Sequence, residues 1–153
     1  MVSPFILKQE ESRNGRALNV LGMPVYLKLA GNDTANQLSI FIAEYGKNQG
    51  PPLHTHDVDE WFYVLEGAHI FQAAGKRFCG KPGDCVFVPR NTVHTTLCIS
   101  DRGKLLFTVN TTGPVEKMFE KLDSYTEMPS VEELIKAHAE LGIEIVGPPI
   151  TAE

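Results

Sequence analysis

The chain has 153 residues, 42% of them hydrophobic and 22% charged, with a formal net charge of −5. These are the proportions of an ordinary globular domain, and they exclude a disordered chain and a collagen-like repeat. The longest apolar runs, such as Trp61 to Leu65, are far too short to span a bilayer. One domain of this size is expected to bury about two-thirds of the open chain's surface and to leave about 7,700 Å² accessible. The negative charge lies at the C-terminal end: residues 1–114 carry eleven basic and ten acidic side chains, residues 115–153 three and nine. The basic residues form no stripe, so neither nucleic acid nor an anionic membrane is expected as a partner. Cys79, Cys85 and Cys98 are odd in number and lack the spacing of a zinc module. They read as reduced, half-buried thiols in a reducing cytoplasm. The first residues show no long apolar stretch with a cleavage site, so no signal peptide is expected.

In chain order, residues 1–23 form an N-terminal extension in which Phe5 to Leu7 and Ala17 to Leu21 suit short strands. Residues 24–112 carry short apolar runs rich in Val, Ile, Phe, Tyr and Thr: Val25 to Leu29, Leu38 to Ala43, Trp61 to Leu65, His69 to Ala73, Cys85 to Val88, Val93 to Ile99 and Leu105 to Val109. Gly, Pro, Asn and Asp break them at intervals that predict an all-β sandwich or barrel. After Thr112 the period changes. Val115, Met118, Phe119 and Leu122 follow the i, i+3, i+4, i+7 rule of a helix, with Pro114 suited to its first position. Ser130 and Glu133 form a capping box for a second helix, whose apolar stripe would be Val131, Leu134, Ile135 and Leu141, closed by Gly142. The acidic residues of these helices read as a solvated face. Residues 113–153 are thus a helical extension of the same domain.

The chemistry concentrates around His54-Thr55-His56, with Glu60 and Gly67 following. Side chains at i and i+2 of a strand share one face about 7 Å apart. The two imidazoles can therefore converge on one ion, and Glu60 keeps their parity across an Asp57-Val58-Asp59 turn. Turns at Pro82-Gly83-Asp84 and Pro89-Arg90-Asn91 flank a strand at Cys85 to Val88, and His94 opens the next strand. If those two hairpins are neighbours, His94 supplies a fourth ligand. Three imidazoles and a carboxylate suit one divalent transition metal ion, whether Fe, Mn, Co, Ni, Cu or Zn. Four protein ligands would leave two positions of an octahedral shell open. The plainer alternative is surface histidines on a hairpin, but composition alone yields this spacing on the order of once per thousand such chains.

These residues resemble the two motifs of the cupin superfamily. The first is two histidines one residue apart, then Glu and Gly, matched by His54, His56, Glu60 and Gly67. The second runs from Gly through Pro, Gly and His to Asn, and is matched by Gly83, Pro89, Asn91, His94 and Cys98. Asn48 and Asn91 stand where the motifs carry Gly, and Asn tolerates the left-handed backbone such turns need. Cys98 replaces the final Asn. It shares the parity of His94 and is therefore expected to line the pocket. The resemblance spans residues 24–112. It implies a cupin double-stranded β-helix (jelly-roll) barrel with an internal metal held by His54, His56, Glu60 and His94. The segments Pro51 to Gly67, Leu141 to Glu144 and Gly147 to Pro149 look like the quercetin-dioxygenase-like subgroup.

The function this implies is a dioxygenase-type oxygenase acting on a small enolisable or phenolic compound, with Glu60 both ligand and catalytic proton acceptor. A non-catalytic small-molecule-binding barrel and a metal-dependent isomerase or decarboxylase are the alternatives. Phe62, Val64 and Phe71 suit the pocket wall, whereas Trp61, Tyr63 and Leu65 have the opposite parity. Arg90 reads as a surface residue, with the pocket mouth as its alternative. His69 can face either way, and His138 reads as surface or packing. A homodimer is expected, since the apolar N-terminal segment has no place in a minimal barrel and cupins often append such strands to a partner.

Overall fold

The computed structural model describes residues 2–110 and 113–153. Its strands are β1 (Leu18–Val20), β2 (Met23–Leu29), β3 (Leu38–Gly46), β4 (Leu53–Thr55), β5 (Glu60–Glu66), β6 (His69–Ala73), β7 (Lys76–Gly80), β8 (Cys85–Val88), β9 (His94–Cys98), β10 (Arg102–Asn110) and β11 (Glu144–Gly147). Two helices, α1 (Gly113–Asp123) and α2 (Val131–Glu140), lie between β10 and β11. Every strand pairing is antiparallel. One sheet runs β1-β2-β3-β10-β5-β8 and the other β11-β4-β9-β6-β7. The all-β barrel with C-terminal helices is therefore the observed architecture. No helix among the described residues is long and apolar enough to cross a membrane.

Alternation fills the space between the sheets. Along β3 and β10 every second side chain is buried, the pattern of a strand with one face on a core. Phe41 and Phe107 stack across β3 and β10 with ring centroids 5.1 Å apart, and Phe119 of α1 meets Phe41 edge-on at 5.0 Å. Each such ring contributes about 1.5–3 kcal/mol by leaving water. Together they fasten α1 to the barrel.

Several expectations need correction. Phe5 to Leu7 forms no strand, and residues 2–11 are exposed apart from half-buried Leu7. The accessible surface, 8552 Å², exceeds the value expected from size, and this exposed segment contributes to it. The stripe on α2 is rotated. Val131 and Ile135 are 73% and 43% exposed, while Leu134, Ala137, His138 and Leu141 face the core. The acidic residues of α1 are not all solvated. Glu116 accepts from the Gly31 amide at 2.6 Å and pairs with Ser39, and Asp123 holds Arg16 and the Asn19 amide. Strand β7 went unread because Lys76 and Arg77 interrupt its apolar run, and β11 because it is four residues in a tail. Cys79 and Cys85 are exposed and only Cys98 is buried. The boundary at Thr112 falls outside the described residues.

Two motif positions have a backbone cause. Gly67 has φ +75°, and a Cβ there would collide with the Arg102 carbonyl oxygen. Asn48 and Asn91 sit at φ 63° and 62°, the left-handed turns expected of them. Gly103 is close-packed as well: an added Cβ would lie 2.6 Å from His69 Nε2 and 2.7 Å from Cys98 Sγ, both fully buried. Gly103→Ala should cost about 1–3 kcal/mol in a urea melt. Gly113→Ala, with nothing within 4 Å of the new methyl, should leave the midpoint unchanged or raise it. Equal midpoints for the two variants would refute this packing account.

Candidate metal centre

Both sheets contribute to one cluster. His54 on β4 lies directly opposite His94 on β9, the single residue pair joining those strands. Glu60 begins β5 in the other sheet, and His56 belongs to the segment that crosses between them. Strand β8 pairs with β5, and β9 pairs with β4 and β6. The two hairpins inferred from sequence are thus strands of opposite sheets, and His94 arrives by a crossing turn. The candidate ligand atoms of His54, His56, Glu60 and His94 all lie within 4.8 Å of one another. Two donors bonded to one ion at about 2.1 Å sit at most about 4.2 Å apart, so a contraction of a few tenths of an ångström would seat an ion.

The donor chemistry fits a cation. His54 Nδ1 donates to the Pro52 carbonyl at 2.8 Å, His56 Nδ1 to Val58 at 3.1 Å and His94 Nδ1 to Thr92 at 2.8 Å. A carbonyl can only accept, so each proton sits on Nδ1 and each Nε2 is the inward-facing nitrogen. Glu60 Oε2 lies 3.0 Å from His56 Nε2 and 2.6 Å from His94 Nε2. With neutral rings those contacts set lone pair against lone pair, and only a proton or a cation between them makes them attractive. Burial, then the neighbouring His94, pushes His54 down to about 4, so its ring is neutral near pH 7. Burial alone would lower His94 and raise Glu60, but the contacts of Glu60 with His56 and His94 outweigh it: His94 is raised and Glu60 is held below the usual carboxylate range.

The turn between His56 and Glu60 is tied at both ends. Asp59 accepts from the Arg90 amide at 2.8 Å, from its guanidinium at 3.0 Å and from Asn110 at 3.2 Å. These bonds, Arg90's first, hold the Asp59 carboxyl below its ordinary value. The Asn91 amide donates to the His56 carbonyl at 2.7 Å. Arg90 is therefore a surface residue that orders the site, not a group at the pocket mouth.

His54, His56 and Glu60 open onto a cavity of about 110 Å³, where one water needs roughly 10–15 Å³. Its wall is mostly carbon, including Met23, Val25, Phe62, Phe107 and Met118. Of the predicted wall residues Phe62 lines it, whereas Val64 and Phe71 are buried in the core beyond it. Cys98 is also outside the wall. Four residues, about 13 Å of strand, separate it from His94, and its Sγ lies 3.3 Å from the Ser100 carbonyl. His69 is equally remote, donating Nε2–H to Glu66 at 3.2 Å and packing edge-on to Tyr45. Three polar wall residues were missed: Tyr45, Thr96 and His138. The buried alternation of β3 marks Tyr45 as inward, but a histidine on a helix carries no such signal.

Asp59→Ala should weaken divalent-metal affinity about tenfold while preserving a cooperative melt, read by competition against a chelating indicator. Unchanged affinity would show that the turn is held without this carboxylate.

No curated protein sequence matches the chain. Solved structures do. The polyketide cyclase RemF from Streptomyces resistomycificus superposes with a TM-score of 0.57 at 19% identity, covering 72% of this chain and 80% of that one. KdgF from Halomonas sp. gives 0.55 at 17%, covering 61% and 82%. A predicted oxalate decarboxylase from Thermotoga maritima gives 0.55 at 20%, covering 57% and 79%. Residues 41–110 match the family model described as Cupin domain. That segment runs from within β3 to the end of β10 and contains all four clustered side chains, so over these residues the chain is similar to the cupin domain, and its barrel shares the fold of these structures.

Proposed function

We propose that the protein is a metal-dependent oxygenase of the quercetin-dioxygenase-like kind, acting on a small enolisable or phenolic compound. The observation that carries this reading is the placement of His54, His56 and Glu60, clustered with His94, on the wall of a mostly carbon-lined cavity. A divalent ion held by these four residues would supply Lewis acidity toward a bound hydroxyl. Glu60, buried and ionised, has a second carboxylate oxygen that can accept the substrate's proton. Tyr45, raised by burial and then by the nearby Glu60 charge, stays protonated and can donate to a substrate oxygen. The apolar wall admits a ring and excludes bulk water from the reacting atoms.

A second reading is a metal-dependent cupin that transforms a similar compound without oxygen. The similarity to a polyketide cyclase, which covers 72% of this chain, favours it over a purely binding barrel. Oxygen uptake decides between the two. Protein loaded in turn with each candidate ion is offered catechols and flavonols in an oxygen-electrode cell. Consumption stoichiometric with product supports the oxygenase; product without oxygen consumption supports the second reading and overturns the first.

His94→Ala should reduce metal content from one ion per chain to a small fraction, measured by elemental analysis after gel filtration. Glu60→Gln should retain part of the metal and lose most turnover. A Glu60→Gln protein as active as its parent on a confirmed substrate would remove the proton-accepting role.

The same proposal includes a homodimer. Ile6 in the N-terminal segment is 86% exposed, as are Phe78 on edge strand β7 by 47% and Phe87 on edge strand β8 by 60%. Sedimentation at micromolar concentration should give twice the chain mass, and a monomer would overturn this part.

A further inference from the structure

The reading above gives no role to His138, a buried polar side chain on the cavity wall. His138 is 7% exposed and lines the same cavity as His54, His56 and Glu60. Its Nδ1 lies 2.6 Å from the Leu134 carbonyl one turn back. That oxygen can only accept, so the ring proton sits on Nδ1 and Nε2 carries a free lone pair. Among the described residues Nε2 has no hydrogen-bond partner, and it is not sealed off as a fully buried atom, so a donor can reach it; covering it without one would be costly. Burial lowers the affinity of this ring for a second proton, which keeps Nε2 an acceptor.

The position of the ring is rigidly specified. The His138 carbonyl accepts from the Leu141 amide at 3.0 Å and the Ile143 amide at 2.9 Å. Two residues on, β11 pairs with β4, with Ile145 opposite His54. The helix bearing His138 is thus tied to the strand bearing a candidate metal ligand. The other wall residues after position 113 are Val115, Met118, Phe119, Leu122 and Ile143, all apolar. His138 also lies outside residues 41–110, the part that matches the cupin model, so this polar point belongs to the chain's own C-terminal extension.

We propose that His138 is a specificity-determining residue: its Nε2 accepts a hydrogen bond from a hydroxyl on the substrate's ring, away from the oxygens that face the metal. This rests on the metal-facing substrate reading above and narrows its class to ring compounds with vicinal oxygens plus a further hydroxyl donor. A compound lacking that donor would leave Nε2 buried and unpaired, which is how a site rejects a close analogue.

The test is anaerobic titration of the zinc-loaded protein with 2,3-dihydroxynaphthalene, its 5- and 6-hydroxy derivatives, and the matching methoxy compounds, which accept but cannot donate. At least one of the two added hydroxyls should tighten binding about fivefold, and its methoxy counterpart should not. In His138→Phe that preference should vanish while zinc content stays unchanged. His138→Gln, whose amide oxygen can accept, should keep part of it. Equal affinities across the series in the parent protein overturn the inference without any variant, and so does a preference that survives His138→Phe. If no naphthalenediol binds the zinc-loaded parent, the metal-facing substrate reading falls, and this inference with it.

Discussion

Three backbone carbonyls decide what this barrel can hold. By taking the Nδ1 protons of His54, His56 and His94, the oxygens of Pro52, Val58 and Thr92 turn three Nε2 atoms toward a single carboxylate. Four acceptors facing one another in a buried space repel unless a positive charge sits among them. The tautomers are set by local chain geometry, since each carbonyl lies two residues from its histidine. Their convergence is not local. It requires β4 beside β9 and Glu60 arriving from the opposite sheet.

The rest of the structure can be understood as holding that convergence in place. Asp59 ties the His56–Glu60 turn to Arg90 and Asn110, and Asn91 ties the segment before His94 to the His56 carbonyl. The close approach at Gly67 and Gly103 lets the hairpins at the far end of the barrel close without displacing His69 or Cys98. These two residues share the chemistry of functional groups but serve packing. Distance along the strand, not side-chain type, separates them from the site.

The C-terminal extension matters more than a covering would. Helix α1 supplies Val115, Met118 and Phe119 to the cavity wall, α2 supplies His138, and β11 extends the sheet that carries His54 and His94. A minimal barrel would lack that side of the cavity wall beside the four-residue cluster. Here the extension closes it with apolar surface and one acceptor, so residues outside the matched cupin segment shape what the cluster can meet.

Much of this was legible from residue order alone. Period-two runs marked most strands, the capping box at Ser130 and Glu133 was observed as such, and the spacing of His54, His56 and Glu60 named the cluster, because each is a relation between residues close in the chain. Asn48 and Asn91 were readable for the same reason, since a left-handed turn is a local property. What tertiary structure alone decided is which groups meet across the barrel: that β8 and β9 part to opposite sheets, that α2 docks by the face bearing His138 instead of the one bearing Ile135, and that Cys98 lies too far along β9 to reach the cavity. These depend on strand pairing and helix rotation. Both are set by packing among residues far apart in the chain, where periodicity carries no information.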